Sequence, residues 1–249
     1  MPISAAVAAA NPSVALSGLR RASISPAHSD LAESMSSFSV QRRNMIEAQI
    51  RANDVTDPRI QAAMTDVPRE RFVPPEKRAL AYADVPVEVS PGRYLLDPRT
   101  FAKLLELADL RPEDRVLDVG CATGYSAAVI ARLAKKVFAL EQDAELVRLA
   151  SELVSGTPNV EVVQGALNQG HKSGAPFDVI FVNGAIQEPP ETLLSQLAEG
   201  GRLVAVLADG SGGKAQLFVR EHGRVGVRSG FDASVPTLVG FSKSVGFRF

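Results

Sequence analysis

The sequence predicts a doubly wound α/β fold, with a mostly parallel sheet, N-terminal helices before it and a C-terminal antiparallel hairpin after it. Apolar stretches of strand length alternate with helical patterns through the second half of the chain. Such alternation is typical of a parallel sheet covered by helices on both faces. A Gly-rich turn then leads into two more strand-like stretches, separated by Glu221-His222-Gly223-Arg224. This turn predicts a hairpin that closes the sheet edge.

The predicted elements of the second half follow in order. The parallel strands are expected at Arg115–Val119, Lys136–Leu140, Val160–Val163, Asp178–Val182 and Arg202–Leu207. The helices between them are expected at Ser126–Leu133, Ala144–Val154 and Glu191–Leu197. The hairpin strands are expected at Gln216–Arg220 and Val225–Phe231.

The first half predicts short helices and a loop. Asp57-Pro58 supplies an N-cap and a proline at the first helical position for a helix over Arg59–Thr65. Asp97-Pro98 repeats this signature before a helix over Thr100–Ala108. The intervening segment, Tyr82–Asp97, contains two prolines and a glycine and is predicted to be an irregular loop.

Composition limits the class of protein. With 249 residues and 45% hydrophobic residues, the chain can bury one sizeable core. A net charge of -1 gives no basic surface for nucleic acid or for an acidic membrane, so neither partner is expected. Cys121 is the single cysteine and no apolar run is long enough to span a bilayer, so we expect a cytoplasmic location. No metal site is predicted.

The chemistry concentrates where the first parallel strand ends. Asp118, Gly120 and Gly124 form an Asp-x-Gly-x-x-x-Gly pattern between that strand and the next helix. Dinucleotide-binding loops place a pyrophosphate at this point, but the more compressed spacing here resembles the methyltransferase loop that holds the amino-acid end of S-adenosylmethionine. Glu141 follows Gly120 by about 20 residues and ends the second strand, where a carboxylate can accept both ribose hydroxyls. A Rossmann-like methyltransferase domain is therefore predicted.

The candidate cofactor site includes residues from three strand ends. We predict that S-adenosylmethionine contacts Asp118, Gly120, Cys121, Ala122, Gly124, Glu141, Gln142, Gly165, Ala166 and Asn183. Within this set Cys121 is interpreted as a small buried residue of the loop and not as a nucleophile, because no histidine is placed by sequence to activate it.

From Arg43 to about Leu207 the chain resembles the protein-L-isoaspartate O-methyltransferases. The motifs that carry the resemblance are Arg43-Asn44-Met45-Ile46, the segment Val67–Pro74, Ala81-Tyr82-Ala83-Asp84, Ala175-Pro176-Phe177-Asp178 and the segment Gln196–Leu203. The first three are more specific than the cofactor loop, which other methyltransferases share. The resemblance implies methyl transfer to the free carboxylate of an isoaspartyl residue in a damaged protein or peptide.

Three positions depart from that family's pattern. The family's substrate loop reads Gly-x-Thr-Ile-Ser-x-Pro, whereas the segment Gly92–Pro98 places Leu96 where the family has the active-site Ser. The family's Gly-Asp-Gly after the third strand aligns with Gly165-Ala166-Leu167. The middle glycine of the cofactor loop is replaced by Ala122.

Because of these three departures, the sequence does not determine which chemical group accepts the methyl. A carboxylate acceptor is already ionised at neutral pH and needs no general base, so loss of the Ser removes orientation and predicts absent or very slow methylation of an isoaspartyl peptide. Arg93, Tyr94 and Asp97 are the candidate catalytic residues of a different acceptor site, although solvated loop positions and a helix cap explain them equally well. The alternatives are a methyltransferase for an unknown small acceptor and a non-catalytic S-adenosylmethionine-binding protein.

Three segments make up the predicted organisation. Residues 1–34 are Ala- and Ser-rich, have their first acid at Asp30 and are expected to be a disordered tail or to precede the true start at Met35; the less favoured alternatives are an organelle transit peptide and a secretory signal. Residues 35–97 carry the N-terminal helices and substrate loop, and residues 98–249 form the S-adenosylmethionine-binding methyltransferase domain. The oligomeric state is left open.

Overall fold

A computed structural model describes residues 37–208 and 212–242 of the chain. From Phe38 onward these residues belong to one compact unit. The predicted tail, residues 1–34, lies outside the described residues, so the three-segment organisation stays a prediction. In the described part of the chain, every helix is too short or too polar to cross a bilayer.

Two helices open the fold. Helix α1 is described over residues 37–45 and continues as a π-helical turn over Ile46–Ile50. Helix α2 spans Pro58–Asp66, and the Asp57 side chain accepts a hydrogen bond from the Arg59 amide, as the cap signature predicted. Met45 and Ile50 of the first helical segment and Ile60 and Met64 of α2 pack into the main core.

The segment predicted to be an irregular loop is instead a β-hairpin. Strand β1 (Val87–Ser90) pairs with strand β2 (Arg93–Leu95), with Gly92 at φ 70° in the turn between them. The expectation was wrong because strands of four and three residues are too short to show a period of two in the sequence. Their inward residues, Val87 and Leu95, are buried, so tertiary packing stabilises the hairpin.

A seven-stranded sheet forms the centre of the molecule. Helix α3 (Pro98–Ala108) precedes it, and helices α4 (Tyr125–Ile130), α5 (Ala144–Leu153) and α6 (Glu191–Leu194) connect its parallel strands. The strands are β3 (Arg115–Val119), β4 (Lys136–Glu141), β5 (Val160–Gln164), β6 (Phe177–Ile186), β7 (Leu197–Ala208), β8 (Gly213–Glu221) and β9 (Arg224–Asp232). Their order is β5-β4-β3-β6-β7-β8-β9. The first five run parallel and the last two antiparallel, which confirms the predicted fold class.

The sheet separates two hydrophobic cores. Side chains alternate between the faces of a strand, so Val116 of β3 enters one core and Leu117 enters the other. Phe101 of α3 and Val129 of α4 pack in the first core, and Leu193 of α6 packs in the second. This packing fixes the carboxyl ends of β3, β4 and β6 side by side.

A C-terminal segment lies along the end of β6. The Ala185 amide donates to the Pro236 carbonyl at 2.9 Å, and the Leu238 amide donates to the Ala185 carbonyl at 2.8 Å. Leu238 is buried. The chain after β9 therefore returns to the carboxyl edge of the sheet, a placement that no sequence pattern indicated.

Candidate active site

The loop after β3 is held in a tight turn with three left-handed residues. Gly120 has φ 77°, Ala122 φ 50° and Gly124 φ 93°. The Gly124 amide donates to the Cys121 carbonyl at 2.8 Å and closes the turn before α4. A β-carbon at Gly124 would lie 3.0 Å from Val154 Cγ1, so the close approach of α5 and the backbone conformation both favour glycine here.

Asp118 lies behind this loop and is fully buried. Ser126 Oγ donates to its Oδ2 at 2.7 Å, and Asn183 Nδ2 donates to its Oδ1 at 2.6 Å. Burial, together with the nearby Glu141 charge, raises the pKa of Asp118 to about 7, although the two hydrogen bonds favour the charged form. Both oxygens are engaged, so Asp118 braces the loop from the inside.

Glu141 ends β4 and is also fully buried. Its Oε2 accepts from the Ala122 amide at 2.9 Å, and its Oε1 accepts from the Gln142 amide at 2.8 Å and the Asp143 amide at 3.3 Å. Arg93 completes this set with an ion pair, Nη2 to Oε2 at 2.5 Å. The hairpin β1-β2 therefore reaches across the edge of the sheet to the predicted ribose acceptor.

The acceptor side of the site is lined by both apolar and polar side chains. Leu96 is buried, and it lines a small cavity with Tyr94, Asn183 and Tyr125. Asp97, proposed above as a catalytic candidate, caps α3 by accepting from the Thr100 amide at 2.8 Å. Its carboxylate is thus committed to the helix terminus.

One residue of this cavity was missed by the sequence analysis. Arg69 is fully buried and donates from Nη2 to the Leu96 carbonyl and from Nε to the Ala81 carbonyl, both at 2.6 Å. Its guanidinium lies 4.7 Å from the centre of the Tyr125 ring. Burial lowers the pKa of Arg69. The residue belongs to the segment Val67–Pro74, which was a family motif, but the motif alone gave it no role.

The remaining residues of the predicted cofactor site differ in solvent exposure. Gln142 and Ala166 are exposed. The Gly165 amide donates to the Glu141 carbonyl at 2.9 Å. Cys121 is buried, and burial raises the pKa of its thiol well above the usual value, so the thiol stays protonated. These contacts put the candidates at one sheet edge, and their role in binding stays a prediction.

The chemistry of this edge fits S-adenosylmethionine. A buried carboxylate at the end of β4 suits a ribose diol, and a glycine-containing turn allows close approach of the backbone. The side chains of Arg93 and Leu238 lie in the space that the cofactor would enter. A β-carbon at Gly120 would be 2.9 Å from Leu238 Cδ1 and 3.1 Å from Arg93 Nη2. The donors and acceptors fit the cofactor, and Arg93 and Leu238 lie where it would approach.

Comparison with known proteins identifies the relatives of this chain. The family model for protein-L-isoaspartate(D-aspartate) O-methyltransferase matches residues 40–233. The protein-L-isoaspartate O-methyltransferase of Koribacter versatilis is 41% identical over 172 residues, which are 68% of this chain and 78% of that protein. Protein-L-isoaspartate O-methyltransferase 1 of Rhodopseudomonas palustris is 38% identical over 195 residues, 78% of this chain and 79% of that protein.

Solved structures agree with these relatives. A protein-L-isoaspartate O-methyltransferase aligns with a TM-score of 0.69 and 28% identity, covering 80% of this chain and 66% of that chain. A putative protein-L-isoaspartate O-methyltransferase from Plasmodium falciparum, solved in complex with S-adenosyl-L-homocysteine, gives a TM-score of 0.68 over 79% of this chain and 97% of that chain. At 22% identity the second supports the fold alone.

These matches confirm the predicted resemblance. They also confirm, at the level of the family, the predicted enzyme class of S-adenosylmethionine-dependent O-methyltransferases. The match covers the cofactor loop, the hairpin and the parallel strands together. The chain belongs to the protein-L-isoaspartate(D-aspartate) O-methyltransferase family.

Proposed function

We propose that this protein uses S-adenosylmethionine to methylate the free carboxylate of an isoaspartyl residue in a protein or peptide. The observation that carries the proposal is the contact between the two halves of the site, where Arg93 of the hairpin meets Glu141 at 2.5 Å. The hairpin leads into the acceptor-side residues, and Glu141 is the predicted cofactor carboxylate. We also propose a cytoplasmic location, which suits a chain with a single, buried cysteine.

The ribose and the amino-acid end of the cofactor each have residues that would hold them. Glu141 would accept the ribose hydroxyls, and the turn Gly120–Gly124 would approach the amino-acid end through its backbone. Asp118 supports that turn from below through Ser126 and Asn183. When bound, S-adenosylmethionine supplies an electrophilic methyl group, and the chain's task is to align the acceptor and exclude water.

The side chains around the cavity favour an acceptor that is already ionised. Among the described residues that line it, Cys121 keeps its proton because burial raises the pKa of its thiol. Asp97, next to this lining, is engaged as the cap of α3. Asp118 has a pKa raised to about 7, but both of its oxygens accept hydrogen bonds in the interior. A carboxylate needs no base, whereas an alcohol or amine acceptor would need one.

Leu96 makes this activity slow. A leucine in place of the family's serine gives the acceptor carboxylate no hydroxyl in exchange for the water that it loses. One such missing contact costs about 1–3 kcal/mol, or roughly 5- to 150-fold in rate. The buried, apolar position of Leu96 still excludes water from the site.

A methanol-release assay tests the proposal. An isoaspartyl peptide is compared with the aspartyl peptide of the same sequence, using vapour diffusion of methanol from the hydrolysed methyl ester. We expect slow turnover with the isoaspartyl peptide, no turnover with the aspartyl peptide, and a gain of about tenfold in Leu96→Ser. Leu80→Ser, at an exposed leucine, is the matched control and should leave the rate unchanged. Absence of methanol from both wild type and Leu96→Ser, with cofactor bound, would contradict the isoaspartyl acceptor.

A further inference from the structure

Arg93 lies inside the molecule although it belongs to a short hairpin at the surface. Only 5% of the residue is exposed, and its guanidinium points to the carboxyl edge of the sheet. Its Nη2 bonds Glu141, whereas its Nε is buried without a hydrogen-bond partner among the described residues. A buried guanidinium with one unsatisfied donor pays part of its desolvation cost without compensation. This position is therefore costly and calls for a functional explanation.

The hydrogen-bonding capacity of Glu141 is already used. A carboxylate offers about four lone-pair positions. The two Glu141 oxygens receive four donors, from the Ala122, Gln142 and Asp143 amides and from Arg93 Nη2. Three of these donors are backbone groups fixed by the loop after β3 and the start of α5. Arg93 is the one donor carried by a side chain that can rotate away.

A ribose diol therefore competes with Arg93 for Glu141. Both are hydrogen-bond donors to the same carboxylate, and the guanidinium also lies 3.1 Å from the β-carbon position above Gly120. Arg93 together with both ribose hydroxyls would bring six donors to a carboxylate with about four lone-pair positions, so a ribose hydroxyl can bind only after Arg93 has left. The described geometry leaves exchange of one donor for the other as the way to satisfy Glu141.

We propose that Arg93 occupies the ribose position on Glu141 when the cofactor is absent, and that the cofactor binds by displacing it. The inference rests on the proposed function, since it takes S-adenosylmethionine as the ligand. Arg93 thereby sets the affinity for the cofactor. The internal ion pair keeps Glu141 satisfied in the free protein, and the apparent affinity falls in proportion to the fraction of molecules in which Arg93 has left.

Calorimetric titration with S-adenosylhomocysteine measures this competition without requiring turnover. If the ion-paired form holds about nine-tenths of the free protein, its removal tightens binding about tenfold. We expect Arg93→Gln to bind at least about tenfold more tightly than wild type while melting at a lower temperature in the free form. Arg51→Gln removes the same charge from an exposed ion pair with Glu47 and should change neither quantity. In a Glu141→Gln background, Arg93→Gln should give no gain.

A second measurement uses the unaltered chain, in case Arg93→Gln folds poorly. The Nε–H resonance of the buried Arg93, assigned in the unaltered chain through its couplings to the Arg93 backbone, should exchange slowly with water in the free protein and rapidly when S-adenosylhomocysteine is saturating. Equal or weaker binding by a folded Arg93→Gln, or an unchanged resonance on saturation, overturns the exchange and leaves the proposed function intact. Absence of binding by wild type at millimolar ligand overturns the proposed function and the exchange with it.

Discussion

Asp118 and Glu141 are two fully buried carboxylates at the ends of neighbouring parallel strands, and they are stabilised in different ways. Glu141 is met by a cation, Arg93, and by three backbone amides. Asp118 is met only by the neutral side chains of Ser126 and Asn183. The same depth of burial therefore has different consequences for the two acids.

The difference shows that neutral hydrogen bonds offset only part of the desolvation cost of a buried carboxylate. At Asp118 burial outweighs both hydrogen bonds and raises the pKa to about 7. The charge of Glu141 is a smaller contributor to this rise. Asp118, which accepts hydrogen bonds from neutral side chains, therefore takes up a proton near neutral pH.

Removing the better-stabilised acid should have the largest effect. Glu141→Ala strands the buried Arg93 guanidinium and three amides, and breaking a buried ion pair by deleting one partner costs about 3–5 kcal/mol. We expect the free energy of unfolding in urea to fall by that amount and S-adenosylhomocysteine binding to drop below detection. Glu145→Ala, an exposed position on α5, should change neither. Full stability in Glu141→Ala would mean that the ion pair contributes nothing net.

Neutralising the other acid should stabilise the protein in a pH-dependent way. Because the pKa of Asp118 is raised from 3.8 to about 7, the folded state holds a proton that the unfolded state releases, and stability falls as pH rises from about 4 to 7. Asp118→Asn mimics the protonated acid and removes this loss. Its unfolding free energy relative to wild type should therefore rise across that window, by on the order of 2–4 kcal/mol, and stay level above it.

Urea unfolding at four pH values between 4 and 8 measures this difference. Asp66→Asn, at an exposed aspartate, is the matched control and should show no such rise. A constant difference between Asp118→Asn and wild type at all four values would rule out protonation of Asp118 in the folded state.

A smaller effect is expected when one neutral donor is removed. Ser126→Ala deletes the hydroxyl that donates to Asp118 Oδ2 at 2.7 Å, which costs about 1–2 kcal/mol. The loss should be greater at pH 8 than at pH 5, because the hydroxyl favours the charged form of Asp118. Ser151→Ala removes an exposed hydroxyl of α5 that bonds only a helix carbonyl, and it should be nearly neutral. Equal losses at both pH values would contradict the assigned role.

The parallel sheet could be predicted from the sequence because its strands are buried on both faces and appear as continuous apolar runs. The cofactor loop and Glu141 could be predicted because their spacing along the chain sets their positions at the strand ends. The Asp97 cap of α3 could be predicted from Asp97-Pro98 because the cap signal is local, whereas the catalytic candidacy of Asp97 stays a prediction. The strand runs, the loop spacing and the helix cap are each set by residues that lie close together in the sequence.

The remaining features depend on contacts between distant residues. Arg93 and Glu141 are 48 positions apart and Asn183 and Asp118 are 65 apart, so their pairing exists only in the folded chain. The hairpin β1-β2 was missed because its strands are too short for a periodic signal. Leu238 reaches Gly120 from a segment with no motif. The contacts of Arg93 and Leu238 at the site could therefore not be predicted from local sequence patterns.

The smallest expected effect concerns Ala122, whose amide links the loop to Glu141. Its φ of 50° strains a residue with a β-carbon, and glycine would relieve about 1–2 kcal/mol. Glycine also gains unfolded-chain entropy worth about 0.5–1 kcal/mol and gives up a buried methyl worth about 0.8 kcal/mol. These terms nearly cancel, so Ala122→Gly should change the unfolding free energy by less than about 1 kcal/mol.

The matched control for Ala122→Gly is Ala62→Gly, at an exposed position inside α2, where the ordinary helical penalty of about 1 kcal/mol has nothing to offset it. The two variants should thus separate in urea unfolding, with Ala62→Gly the less stable. Since the Ala122 backbone amide, which glycine keeps, makes the bond to Glu141, Ala122→Gly should bind S-adenosylhomocysteine no more weakly than wild type. A loss of more than about 2 kcal/mol in Ala122→Gly would show that its methyl packs as core, so that the left-handed turn is stabilised by that packing and not merely tolerated.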